Sequence, residues 1–165
     1  MALGEALFHD TNLSLDRTQS CATCHDPDHA FTDPSTNDSG NVRSTSVGDD
    51  GVSLGDRNTP TALYSASTLE FTYGTHQRFN SPMEDYVGYI GGQFWDGRAA
   101  TLEDQAGGPP LNPVEMNMPD RATVIARLRE NASYEENFTE LFGANIFDDI
   151  DYLNMFESYF KSDHL

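Results

Sequence analysis

Basic residues are scarce: Lys and Arg together number 9 against 27 Asp and Glu in 165 residues, a formal net charge of −18. That balance argues against nucleic acid or an anionic membrane surface as a partner. It suits a protein that meets basic partners or works in a salty medium. Long apolar runs are missing too, so no stretch is predicted to span a bilayer. Residues Met1 to Glu5 lack the basic start and apolar stretch of an export signal. No internal repeat is found. Apolar residues make up only 37% of the chain, beside 13 Gly and 8 Pro. Residues 1–165 therefore read as one domain with a small core and much irregular surface, to which a large apolar cofactor would add bulk.

Cysteine is nearly absent. The only two stand in Cys21-Ala22-Thr23-Cys24-His25. C-x-x-C-H is the attachment signature of c-type haem. Two thiols at that spacing can each form a thioether to one edge of the porphyrin, and the histidine that follows falls beneath the iron as its proximal ligand. A redox C-x-x-C would open a helix after an apolar strand, whereas the preceding run, Thr11 to Ser20, is polar. A structural zinc site would want a second close Cys or His pair, and none is present. One covalent haem c is expected. In bacteria that attachment takes place outside the cytoplasm, so the chain is expected to be periplasmic or secreted, with an export signal removed or left out.

Coarse secondary structure follows from period and punctuation. Leu3, Ala6 and Leu7 predict a short helix over Ala2 to His9. A helix or turn is expected at Cys21 to Asp26. Pro27 to Gly55 is rich in Asp, Ser, Thr, Asn and Gly and predicts a long loop. A helical turn is expected at Ala62 to Ala66, and Phe71 to Gly92 has room for a short hairpin. Thr101 caps a short helix ending by Gly107, Pro109 to Pro119 reads as extended, and Asp120 caps a helix to about Asn131 with Val124, Ile125 and Leu128 inward. Ser133 to Glu136 reads as a capping box opening a helix with Phe138, Leu141 and Phe142 inward, stopped by Gly143. A last amphipathic stretch runs from Asp148 to about Lys161.

Several blocks together carry a resemblance. Leu3 to Phe8, Ser20 to Asp26, Ala30 to Asp33, Arg57 to Thr61, Gln93 to Ala99 and Asn112 to Met116 resemble, in order, the bacterial di-haem cytochrome c peroxidase and MauG-like family. The resemblance covers most of residues 3–118. It implies a mainly α, cytochrome c-like haem domain with long irregular loops, built around a peroxide-reacting haem. In the family a second, C-terminal haem domain follows and feeds electrons to the first. No second C-x-x-C-H occurs up to Leu165. The chain is therefore expected to be the first haem domain without its partner, as part of a larger di-haem enzyme or as a single-haem relative.

The resemblance also implies roles. His25 matches the proximal ligand, and Cys21 and Cys24 the thioether cysteines. Trp95 matches a tryptophan that relays electrons between the two haems. Glu115 matches the acid–base carboxylate of the distal pocket, which Gln105 and Pro109 are expected to line. Met116 and Met118 are expected to pack against the porphyrin. Asn58 matches a ligand of calcium held between the two domains. Calcium wants roughly six to eight oxygens, so without the second domain any calcium here is expected to be weak or absent. Family members often carry a displaceable histidine ahead of the Asn-Thr-Pro block. Val47 to Asp56 has none, as in the MauG-like branch, so an open iron is expected; His76 and Met83 are the alternatives that could reach it, and His29 lies too close to His25 to swing across. The face around Trp95 and Asn58 is expected to be apolar and exposed, inviting self-association or a partner chain.

Two functions follow. One is a peroxidase domain that reduces hydrogen peroxide with electrons from a donor protein or a second haem domain. The other is a mono-haem electron carrier with six-coordinate iron.

Overall fold

The computed structural model describes residues 3–79 and 81–147; the amphipathic stretch expected at Asp148 to Lys161 lies outside them. Helix α1, Leu3–Phe8, buries Leu7 and Phe8 against the core. Asp10 then caps a 3-10 turn, Thr11–Leu13, by accepting the Asn12 N–H at 2.8 Å. Helix α2 is a single turn, Cys21–Cys24. The chain from there to Thr101 is mostly irregular. It holds 3-10 turns at Pro27–His29 and Ser65–Ser67, and isolated bridges pair Thr36 with Val42 and Val47 with Leu54.

Strands β1, Thr72–His76, and β2, Tyr86–Ile90, form an antiparallel hairpin with Gly74 opposite Gly88. Its faces are largely exposed, and it is held by rings: Phe71 stacks on Tyr89 at 5.1 Å and Tyr73 meets Tyr89 edge-on at 5.0 Å. Gly91 closes the hairpin with φ of +72°, where an added Cβ would lie 2.2 Å from the Leu69 carbonyl oxygen. Only glycine fits there.

The second half is more regular. Helix α3 is Leu102–Ala106, capped by Thr101 as its sequence requires. Helix α4, Arg121–Arg129, starts at Asp120, whose carboxylate accepts the Thr123 N–H at 2.7 Å, and it buries Val124, Ile125 and Leu128. Helix α5, Ala132–Phe142, packs on α4 and buries Tyr134 and Phe138. These residues join Leu7, Leu13, Met116 and Met118 in one core. Two arginine contacts fasten the N-terminal segment to α4. Arg127 donates to the carbonyls of Asn12 at 3.2 Å and Leu15 at 2.9 Å, and Arg17 grips both Glu130 oxygens at 2.9 and 3.1 Å.

The expectation of a mainly α domain is overturned. Helix accounts for about 33% of the structure and strand for 12%, within a fold compatible with the cytochrome c-like peroxidases. The reason is physical: apolar residues at helical spacing occur only near the two ends, and the Gly- and Asp-rich middle offers no stripe to bury. Three local expectations also change. Pro109 to Pro119 is not extended, because Pro109 and Pro110 open a 3-10 turn, Pro109–Leu111, where a missing N–H costs nothing. Helix α5 is capped by Asn131, which accepts the Ser133 N–H at 3.0 Å, rather than by Ser133. Leu141 is 61% exposed. The buried row of α5 runs Tyr134, Phe138, Phe142, and the returning Ile146 and Phe147 cover that side only.

The α5 cap gives a measurable expectation. Asn131→Ala removes the acceptor for Ser133 and should cost about 1 kcal/mol in denaturant unfolding. An unchanged midpoint would show that the fifth helix does not depend on it.

Candidate haem centre

Because α2 is one turn, Cys21 and Cys24 fall three positions apart on the same side of it. Ser20 prepares that turn, its N–H donating to the Thr23 hydroxyl at 3.0 Å. His25 ends it, its N–H returning to the Cys21 carbonyl at 2.8 Å. Neither cysteine is in a disulfide. Burial pushes the Cys24 thiol up to about 11, against a hydrogen bond to Ser46, and the charges of Asp33 and Glu115 raise it further. A thiol that stays protonated at neutral pH makes a poor redox nucleophile.

His25 is half-buried. Its Nδ1 donates to the Phe31 carbonyl at 3.2 Å. That carbonyl is brought back beneath the ring by a tight reversal in which Ala30 and Phe31 both have φ of +55°. Such left-handed positions cost roughly 1–3 kcal/mol each and persist only where the surroundings impose them. Here the Phe31 N–H donates to Asp26 O at 2.8 Å and the Thr61 hydroxyl donates to Ala30 O at 2.6 Å. The Arg57–Thr61 block thus secures the histidine's support, a role the sequence did not reveal for Thr61. Burial lowers the His25 pKa below the usual histidine range, partly opposed by the Phe31 and Pro60 carbonyls. A neutral imidazole with Nδ1–H committed to a carbonyl leaves its Nε2 lone pair for a metal. Two unbridged thiols and this imidazole fit haem c as a donor set.

Glu115 stands at a cavity of about 370 Å³ lined also by Phe94, Arg98, Asp104, Pro109 and Asn112. The turn after Pro109–Leu111 builds its position. Asn112 accepts the Val114 N–H on its side-chain oxygen at 3.1 Å and the Glu115 N–H on its carbonyl at 3.0 Å. Its side-chain amide donates to the Glu115 carboxylate at 2.9 Å. Burial raises the Glu115 pKa above the ordinary carboxylate range, with the Arg98 charge and the Asn112 amide opposing. Arg98 lies 3.6 Å from the Phe94 ring centroid and pairs with Asp96 at 3.0 Å.

The remaining candidates divide. Pro109 lines the cavity with Glu115; Gln105 sits on α3 and is not among its lining residues. Met116 and Met118 are both buried in the core. Trp95 is 60% exposed, its indole N–H donating to the Asn58 carbonyl at 2.7 Å. Asn58 thus meets the tryptophan through its backbone, and its residue is exposed. His76 stacks beside Tyr86, Met83 is exposed, and His29 is held by Asp26 at 2.9 Å. Arg98 and Asn112, the two partners that tune Glu115, went unassigned in the sequence. The signal for Asn112 was its place three residues ahead of the carboxylate in a Pro-containing turn.

A one-turn C-x-x-C-H helix with a carbonyl-anchored histidine has the donor set of a c-type cytochrome, and a carboxylate raised by burial stands at a cavity within electrostatic reach of Cys24. The family description "Di-haem cytochrome c peroxidase" matches residues 1–162, and the chain belongs to that family. It is 55% identical over 148 residues to the methylamine utilization protein MauG of Paracoccus denitrificans, covering 90% of this chain and 35% of that one. It is 39% identical over 155 residues to the cytochrome c peroxidase Ccp of Escherichia coli, covering 91% of this chain and 27% of Ccp. The di-haem peroxidase BthA of Burkholderia thailandensis superposes with a TM-score of 0.80 at 28% identity, over 98% of this chain and 38% of BthA. The chain thus spans about a third of the length of these relatives. The family is one of haem peroxidases and electron-transfer proteins, with haem c as its cofactor. Among the described residues no helix is long and apolar enough to cross a membrane.

Proposed function

We propose that this chain is the peroxide-reacting haem domain of a di-haem enzyme, exported before its haem is attached. Cys21 and Cys24 hold one haem c, and His25 is its proximal ligand. When bound, the haem supplies an iron that takes up hydrogen peroxide and passes it electrons. Glu115 moves the proton. As a carboxylate it takes a proton from the near peroxide oxygen and returns it to the far one, which then departs as water rather than as hydroxide. Two electrons from a donor protein or a second haem domain, with two protons, complete reduction to water. Trp95, exposed and tethered to Asn58, is the entry point for those electrons. The observation that carries this reading is Glu115: its side chain is half-buried, hydrogen-bonded by Asn112 and raised in pKa at the wall of a cavity within electrostatic reach of Cys24. An electron carrier has no use for such a group.

Two measurements test the reading. On a denaturing gel, chain matured in the periplasm should keep its haem stain, and a colourless band would refute covalent attachment. The ferric protein should show a high-spin component in its optical and EPR spectra. A wholly low-spin spectrum, with His76 or a methionine on the iron, would make the chain an electron carrier instead.

A further inference from the structure

Among the described residues, the buried polar side chains are Ser14, Gln19, Ser20 and Asp49. They gather in one place, between the segment that leads into Cys21 and the backbone of Glu115. Asp49 is the centre of this knot and is only 2% exposed. Its carboxylate accepts the Asp16 N–H, the Thr18 N–H at 3.2 Å and the Thr18 hydroxyl at 2.6 Å. The Ser14 hydroxyl oxygen accepts the Thr18 and Gln19 N–H groups at 3.1 and 3.0 Å, and the Gln19 side-chain amide donates to the Val47 carbonyl. A buried carboxylate without partners would be costly. Here burial alone would push Asp49 up, and the hydrogen bonds from Thr18, Asp16 and Ser14 outweigh it and hold the group ionised.

The same knot grips the Glu115 backbone. The Asp49 N–H donates to the Glu115 carbonyl at 2.8 Å, and the Leu15 N–H donates to the next carbonyl, Met116, at 2.9 Å. Gly48 brings the loop within touching distance: a Cβ there would lie 2.9 Å from the Val114 carbonyl oxygen. Two consecutive carbonyls are thereby tied to two segments that the Asp49 carboxylate itself holds together. One of those segments ends at the first cysteine, five residues after Asp16.

We propose that Asp49 is a positioning residue: its carboxylate fixes the Glu115 backbone in register with the haem-attachment loop. The proposal rests on the reading of Glu115 as the acid–base group. In that reading Asp49 acts through Glu115 and takes no part in the chemistry itself.

The test uses the haem-loaded chain and compares Asp49→Ala, Glu115→Gln and the double variant. Asp49→Ala should react with hydrogen peroxide roughly 10–100-fold more slowly at equal haem content, the scale of a misplaced catalytic group. In the Glu115→Gln background the same change should alter the rate by less than about twofold, because residues acting as one unit do not add. Hydrogen exchange should quicken in peptides covering 14–19, 47–52 and 112–118, a readout independent of peroxide chemistry. Should Asp49→Ala not fold, Asp49→Asn keeps one acceptor oxygen and should give a smaller loss with the same non-additivity. Unchanged exchange in those peptides, or a loss that persists in full on top of Glu115→Gln, overturns the proposal. If Glu115→Gln itself reacts as fast as the parent, the acid–base reading fails, and the exchange measurement alone decides the clamp.

Discussion

Glu115→Gln is expected to slow the reaction of the haem-loaded chain with hydrogen peroxide by about 10²–10⁴-fold, the range in which a positioned acid–base group contributes. Glutamine keeps the shape, accepts the Asn112 amide and cannot carry the proton. Haem content and the ferric spectrum should stay as they are, since Cys21, Cys24 and His25 are untouched. The pH dependence separates this from a steric effect. A base works only when ionised, and burial lifts Glu115 above its ordinary value of 4.5. The parent rate should therefore climb with pH through a midpoint above that value, and the variant should lose the climb. Stability moves the other way. A carboxyl whose folded pKa is raised costs stability when ionised, and stability returns as pH falls through that folded pKa. Glu115→Gln should thus melt no lower than the parent at neutral pH. A variant as fast as the parent would remove Glu115 from the chemistry.

Phe138→Ala should have the largest effect on stability. Phe138 is fully buried on α5, with the rings of Phe142 at 6.0 Å and Phe147 at 5.7 Å. Removing it loses the transfer energy of the ring and leaves a cavity, about 3–5 kcal/mol in all. Leu141→Ala, three residues on but 61% exposed, should stay within about 0.5 kcal/mol. The pair is read from denaturant unfolding of the haem-loaded chain. Equal costs at the two positions would mean that the buried row of α5 is misassigned.

These two residues mark where the sequence was legible. Phe138 stood in an apolar period four residues from Tyr134 and Phe142, and α4 announced itself through Asp120, Val124, Ile125 and Leu128. Periodicity of that kind reports burial directly. Between Ala30 and Ala100 there is no period to read. The chain is held there by isolated bridges and side-chain-to-backbone bonds such as Thr61 to Ala30, and no spacing rule encodes those. The hairpin was visible only as a wealth of aromatics and glycine, because its more covered face, with Gly74, His76, Gly88 and Ile90, holds no apolar row for alternation to report. The mainly α expectation was carried by the family resemblance, and the residues of this region gave no helical period to support it. In the site, local chemistry was readable and long-range partnership was not. C-x-x-C-H names its ligands within five residues. Arg98 reaches Glu115 electrostatically across a fold-back of the chain, and Asp49 meets Asp16 and Thr18 across a loop of some thirty residues.

The arginine clasp on the N-terminal segment bears on the order in which the molecule can be made. Arg127 reaches Leu15 and Asn12 over separations of 112 and 115 residues, and Arg17 reaches Glu130 over 113. Contacts this distant form late, because the intervening chain must first be brought together. The attachment motif, Cys21 to His25, lies just beyond the clasped segment. Until residues 121–130 dock, the segment that leads into Cys21 is not fastened to α4. Before the clasp forms, the single turn Cys21–Cys24 is therefore tethered on its N-terminal side only by its own loop, and the clasp is what joins that loop to the C-terminal helices.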